Sequence, residues 1–265
     1  MRFLLPLGSG STWDDNESKY MLRSLDNVNV QLSVYSNSKI QWLQNAENVV
    51  INRYYPLDLK RRYKIKKYEN YFDTNNKLRI FATQCKDDEF IYIYDDVLLV
   101  GEFQILNFPQ HKIKERHYRL FNKSRHGQTI MAAIACLSTN NDFYNYETHL
   151  PRLYETDKVR FLYRKYPLEN QKIPYSFATL YFNYFNDTHL HPIIETDNYK
   201  AGFYGDPFQG NGFISNSILN VEKIIHNKVW LNYNNKGLCW RNKEGESVLK
   251  KWIENKFKIK SRFEN

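Results

Sequence analysis

The sequence predicts an α/β fold, a mostly parallel sheet flanked by helices. Three observations predict it. Short runs of β-branched and aromatic residues recur through the first hundred positions, separated by stretches with helical spacing. Their order, strand–helix–strand–strand–helix–strand, favours parallel pairing through crossovers. The 265 residues contain no Pro/Gly/Ser-rich linker, low-complexity tract or repeat, which fits one large domain or two intimately packed halves.

Arg2–Leu7 reads as the first strand. It lacks the length and cleavage site of a secretory leader. Gly8-Ser9-Gly10-Ser11-Thr12 follows as a small polar loop, and Ser11 or Thr12 can cap the next helix. That helix runs to about Leu25, with Tyr20, Met21 and Leu25 as its apolar stripe and Asp14, Asp15 and Glu17 near its positive end. Val30–Tyr35, alternating apolar and polar, reads as a strand, Ile40–Leu43 as a short helix carrying Trp42, and Val49–Ile51 as a third strand. A helix ending at Cys85 leads into the strand Phe90–Tyr94, which suits a buried, pleated surface. Later, Gln128–Leu137 reads as a helix, Ser176–Phe185 as a helix or strand, and Ser247–Phe257 as an amphipathic helix.

The strand at Phe90–Tyr94 runs straight into Asp95-Asp96, and the apolar run Val97–Val100 resumes at once. Adjacent carboxylates repel, and each loses solvation when buried unless a cation or strong donors sit between them. Ligands of open α/β sheets bind outside the carboxyl ends of strands. A hard divalent cation carrying phosphate oxygens needs only one or two carboxylates there. Asp-Asp after a strand is equally ordinary turn chemistry. The resumed apolar run tips the balance, because it places the pair between buried segments.

Net charge is +9, from 38 Lys and Arg against 29 Asp and Glu. A basic balance suits a polyanionic partner or an anionic membrane surface, although frequent Lys, Asn, Tyr and Ile also fit a coding bias. The most basic run holds Lys60, Arg61 and Arg62 and can grip phosphates or simply be a solvated face. Arg125 belongs to a second basic region. Aromatic residues make up 16%, including 21 Tyr, more than a core needs. Glu147 and His149, two apart, share a face if their segment is a strand, as acid–base partners or as a hydrogen-bonded strand end. His189, His191 and Asp187 form a sparse metal-ligand pattern. No apolar run approaches the ~18 residues of a membrane-spanning helix. Cys85, Cys136 and Cys239 are far apart and fit no zinc spacing, which predicts a reduced, cytoplasmic protein.

The stretch PLGSGSTWDDNESKYMLRSL, the strand ending Tyr94-Asp95-Asp96, the segment ETHLP and the closing KSRFE together resemble the glycosyltransferases of the GT-A fold. More narrowly they look like phage and prophage glycosyltransferases, among them T-even-type enzymes that glycosylate hydroxymethylated DNA bases. The resemblance implies a Rossmann-type, nucleotide-sugar-binding half over 1–100 and an aromatic-rich, acceptor-binding half over 101–265, within one domain. Leu7, Gly8, Ser9, Gly10, Ser11 and Asp95 would bind the donor; the first motif position, Asp in the family, is Tyr94 here. Asp96 and a downstream histidine, His191, would hold a divalent metal, Mn or Mg. Glu147 and His149 would serve catalysis, and Lys60, Arg61, Arg62 and Arg125 would hold acceptor or phosphates. The expected function is transfer of a sugar, from a UDP-sugar, to hydroxymethylated bases or an already attached sugar on phage DNA, with no obligate protein partner. A capsular or cell-surface polysaccharide acceptor, and a non-enzymatic nucleic-acid-binding protein, are the alternatives.

Overall fold

The computed structural model describes residues 1–8, 13–56, 66–103, 111–113, 124–137, 143–147, 150–185, 201–203, 218–233 and 243–265. Its centre is a five-stranded sheet. In chain order the strands are β1 (Arg2–Pro6), β2 (Gln31–Ser36), β3 (Glu47–Val50), β4 (Glu89–Tyr92) and, after three strands of smaller sheets, β8 (Arg152–Glu155). In space they lie β3-β2-β1-β4-β8. The first four are mutually parallel, and β8 runs antiparallel to β4, with Tyr92 opposite Arg152. The mostly parallel sheet expected from the sequence is present.

This order has a functional consequence. From β1 the chain moves outward to β2 and β3, then returns to place β4 on the other side of β1. The order therefore reverses between β1 and β4, and at such a point a crevice opens outside the carboxyl ends of the strands. Ile93 N–H donates to Leu4 O at 2.9 Å, which keeps the two strand ends side by side.

Both faces of the sheet are covered. Phe3, Leu5, Ile91 and Ile93 point to one face, against Met21 and Leu22 of α1 (Asn16–Ser24) and Leu25 just after it. Leu4, Phe90 and Tyr92 point to the other, against Leu78 and Phe81 of α2 (Glu69–Gln84). That alternation is the two-residue period of a strand with apolar residues at every position. It corrects the reading of β2 as alternately polar: Leu32 to Ser36 are all buried, because helices close both sides.

The first face is extended by β5 (Val97–Leu99), β10 (Trp230–Asn232) and β9 (Ala201–Phe203), a second sheet with β10 in the middle. β10 runs antiparallel to β5 and parallel to β9. Gly101 lies where the chain leaves this sheet. A Cβ there would meet Lys228 O at 2.5 Å, so the close approach of the two backbones requires glycine. The other face carries α3 (Arg125–Leu137), α4 (Thr156–Lys165) and α5 (Phe177–Tyr184). β6 (His111–Ile113) and β7 (Phe143–Asn145) form an antiparallel pair. Helices α6 (Ile218–Ile225) and α7 (Lys243–Lys256) complete the described chain.

Two local expectations change. Residues 40–43 form no helix but a turn with an isolated bridge from Leu43 to Glu264. Their partner lies 220 residues away: Gln44 N–H donates to Phe263 O at 2.9 Å and Asn265 N–H to Trp42 O at 3.0 Å. The cap of α1 is Asp15, left-handed at φ 62° with no side-chain capping bond, while Ser11 and Thr12 lie outside the described residues. Asp tolerates that conformation better than most residues.

The closing segment is anchored by a forked ion pair. Arg23 donates to both carboxylate oxygens of Glu264, at 2.8 and 2.7 Å, and Ser261 N–H adds a bond at 3.0 Å. Burial pushes the Glu264 carboxyl up, but the Arg23 and Ser261 donors outweigh it and hold it below the usual value. A depressed folded-state pKa gives stability that is present above the unfolded value of about 4.3 and lost as pH falls through the folded value. Glu264→Gln should therefore cost about 2 kcal/mol at pH 7. The deficit should shrink as pH is lowered below about 4, where wild-type Glu264 also takes up a proton. Urea unfolding of both proteins at pH 7 and pH 3.5 checks this, and a deficit independent of pH would contradict it.

Candidate active site

The site is built at the switch point. After β4 the chain passes Ile93 and Tyr94, turns at Asp95 and Asp96, and enters β5 immediately. Asp96 is 4% exposed and Asp95 half-buried. Tyr233, just past β10, fixes the turn: its N–H donates to Asp96 O at 3.1 Å and its hydroxyl to Asp95 O at 3.2 Å. The turn's shape is thus held through main-chain carbonyls. The Tyr233 phenol is pushed well above its ordinary value, first by burial and then by the charges of Asp95, Asp96 and Glu17. Glu17, in the first turn of α1, is 1% exposed. The charges of all three carboxylates thus act in the same direction on one tyrosine.

An all-oxygen, carboxylate-bearing edge fits a hard divalent cation. Among the described residues no group of three or more His, Cys, Asp or Glu side chains is placed to enclose a metal by itself. The donor set suits a cation that arrives with substrate phosphates, held by Asp96 with Asp95 beside it. His191 lies outside the described residues.

Across the crevice, Leu7 and Gly8 follow β1. Among the described residues, a side chain at Gly8 would meet nothing within 4 Å. Leu7 O accepts from Lys77 Nζ at 2.6 Å. Lys77 also donates to Asn37 Oδ1 at 2.9 Å and to Asp73, four residues back on α2. Asp73 Oδ1 in turn accepts from Tyr54 N–H at 2.9 Å, and Asn37 Nδ2 donates to Ile51 O at 3.1 Å. One buried cation thereby ties together the segments that follow β1, β2 and β3. Burial pushes the Lys77 ammonium down, and Asp73 opposes the shift. Lys77→Met should cost about 3–5 kcal/mol, because it strands a buried carboxylate. A urea-unfolding free energy within 1 kcal/mol of wild type would show the network to be dispensable.

Glu147 is the remaining candidate carboxylate among the described residues. β7 ends at Asn145, whose side-chain oxygen accepts Glu147 N–H at 2.9 Å. This corrects the expectation of one strand face for Glu147 and His149. The Asn145 side chain takes the bond the next strand rung would have used, so Glu147 lies beyond the strand, and His149 is outside the described residues. Glu147 is half-buried and accepts a short hydrogen bond from the Ser176 hydroxyl. Ser176 caps α5, its oxygen accepting Thr179 N–H at 3.3 Å. The carboxylate is therefore seated at a helix N-terminus.

Glu147 and Asp96 belong to one electrostatic environment. Burial first, then the charges of Glu147 and, after Tyr92, Asp96, hold the Tyr94 phenol well above its ordinary value, while Arg152 pulls it down. Tyr94 therefore remains a neutral hydroxyl. Arg152 is 1% exposed and donates Nη2 to Tyr146 O at 2.7 Å, fixing the residue before Glu147. Arg125, exposed at the start of α3, acts on Tyr71, as Glu147 does.

Of the sequence-predicted residues, Leu7, Gly8, Asp95 and Asp96 lie at the strand ends that meet at the switch point; Glu147 acts on Tyr94 through its charge, and Arg125 is exposed at the start of α3. Ser9, Gly10, Ser11, Lys60, Arg61, Arg62, His149 and His191 lie outside the described residues. Sequence reasoning missed Arg152, Lys77, Asp73 and Ser176. The Asp73–Lys77 pair had a readable signal, opposite charges four apart on a helix. Ser176 had one too, a serine before an apolar helix.

No protein-family profile and no curated protein matches the chain. Several solved structures do. An active-site mutant of LgtC is 9% identical, with a TM-score of 0.44, over 97% of this chain and 96% of that one. The galactosyltransferase LgtC in complex with donor and acceptor sugar analogues is 10% identical, at 0.41, over 99% and 98%. A glycosyltransferase involved in glycosylating the major capsid of PBCV-1 is 10% identical, at 0.37, over 94% and 98%. Likeness this distant adds nothing to what the chain's own strand order shows. The functional reading therefore rests on the residues at the switch point.

Proposed function

We propose that this chain is a nucleotide-sugar-dependent glycosyltransferase with a divalent cation at Asp96. The observation that carries the reading is the buried Asp96, next to Asp95, at the carboxyl end of β4 where the strand order reverses. Leu7 and Gly8 follow the neighbouring strand, and a side chain at Gly8 would meet nothing of the described residues within 4 Å. Bound there, the cation would neutralise charge on a diphosphate leaving group.

The remaining roles belong to the protein's own groups. Asp96 and Asp95 offer oxygens to the cation. The backbone at Leu7 and Gly8 lines the nucleotide side. Glu147, held by Ser176, is the base that accepts the proton of the attacking hydroxyl if the anomeric configuration inverts. The +9 charge favours a polyanionic acceptor, DNA carrying hydroxymethylated bases or their sugars. A base inside a duplex has to be extruded or reached in a groove.

The test is turnover by the purified protein of a panel of UDP-sugars, with Mn²⁺ or Mg²⁺, with and without hydroxymethylcytosine-containing DNA. Release of UDP and a mass increase on the DNA support the whole proposal. Hydrolysis without transfer keeps the enzyme class and moves the acceptor to another polymer, such as a capsular polysaccharide. No turnover and no thermal shift with any donor would sink the reading.

A further inference from the structure

Helix α4 has a well-defined inner face: Val159, Leu162 and Tyr163 are buried against the sheet and α5. Its outer face is unusual for a solvated helix. Phe161 is 39% exposed, one of few large apolar side chains left on the described surface. Its ring lies 5.7 Å from Tyr184 and 6.2 Å from Phe185, at the end of α5. Cations frame these rings. Lys165 Nζ sits 4.7 Å from the centre of the Tyr184 ring and donates to its hydroxyl at 2.7 Å. Lys158 Nζ sits 5.1 Å from the Phe185 ring. Arg164, beside Lys165, is exposed. Lys158 is paired with Glu155, whereas neither Arg164 nor Lys165 is paired with a carboxylate of the described residues.

We infer that this patch is a docking surface for an unpaired strand of DNA, with Phe161 as a stacking platform and Lys165 and Arg164 as phosphate contacts. Flat rings interleaved with cations are what a single strand requires, since every base offers a π-face and every linkage a charge. A neutral protein partner would have no use for the cations. The placement is apt. Tyr166, which follows α4, has its carbonyl bonded at 2.8 Å by the hydroxyl of Tyr175, and the next residue, Ser176, holds Glu147. The patch is thus tied to Ser176 through buried Tyr175 and through α5, whose opposite end carries Tyr184 and Phe185. The inference rests on the reading of the acceptor as DNA, and supplies the surface that would hold the strand next to an extruded base.

Binding of a fluorescein-labelled single-stranded oligonucleotide, followed by anisotropy between 50 and 300 mM NaCl, tests it. Phe161→Ala should weaken binding about five- to a hundredfold, as loss of a base-stacking ring does. Lys165→Gln should weaken it and lower the salt slope by about 0.7, one phosphate contact on a single strand. Both positions are at the surface, so melting temperatures should stay near wild type, and UDP-sugar hydrolysis should be unchanged. Wild-type affinity in either variant would overturn the surface while leaving the enzyme reading intact. A wild-type protein that hydrolyses donor but binds only an anionic polysaccharide, with the same sensitivity to Lys165→Gln and none to Phe161→Ala, would also overturn it. Absent donor hydrolysis together with Phe161-dependent DNA binding would keep the surface and remove the glycosyltransferase.

Discussion

Asp96→Asn should lower donor turnover by about 10²–10³-fold, the usual cost of losing one charge-stabilising group aimed at a transition state. The substitution is nearly isosteric, and the main-chain bond from Tyr233 to residue 96 stays in place. What disappears is one negative charge among three: Asp95, Asp96 and Glu17 all raise the Tyr233 phenol. Like charges crowded in a buried site destabilise the fold. The variant should therefore melt at or above the wild-type temperature, since active sites commonly trade stability for function. An Asp that merely shaped a turn would behave in the opposite way, losing stability and leaving turnover alone. UDP release at several Mn²⁺ concentrations, alongside thermal melts, separates the two. Turnover within threefold of wild type, with a lowered melting temperature, would return Asp96 to turn chemistry.

The contrast between what could and could not be read from the sequence follows sequence separation. Phe90–Tyr94 and Val97–Val100 are legible because burial on both faces leaves a continuous apolar run, and the carboxylates between them stand out against it. The helix ending before Cys85 is legible for similar local reasons. Residues 40–43 were not, since their backbone is satisfied by the closing segment rather than by its own neighbours. Arg152 was not either. In sequence it follows a proline in a polar stretch, and only the antiparallel pairing of β8 with β4 brings it opposite Tyr92. Glu147 was found as a residue but misplaced as geometry, because the side chain of Asn145 ends the strand one step early. Local pattern reveals which segments are buried; it does not reveal which distant polar groups they carry to the same edge.

Glu147→Gln isolates the chemical step. Gln keeps an oxygen to accept from Ser176, so the capped start of α5 and the segment after β7 should hold their shape. If Glu147 takes the proton of the acceptor hydroxyl, kcat should fall about 10²–10⁴-fold with donor KM nearly unchanged, and the limb of the pH–rate profile set by this carboxylate should vanish. A role limited to holding the acceptor gives a different signature, a raised acceptor KM with kcat and the pH profile preserved. Ser176→Ala serves as the control. It removes the donor to Glu147 and the cap of α5 but no ionisable group, so it should cost about 1 kcal/mol of stability while the pH profile keeps its limbs. If Ser176→Ala proves as damaging to kcat as Glu147→Gln, then orientation of this carboxylate, rather than proton transfer at Glu147, limits the reaction.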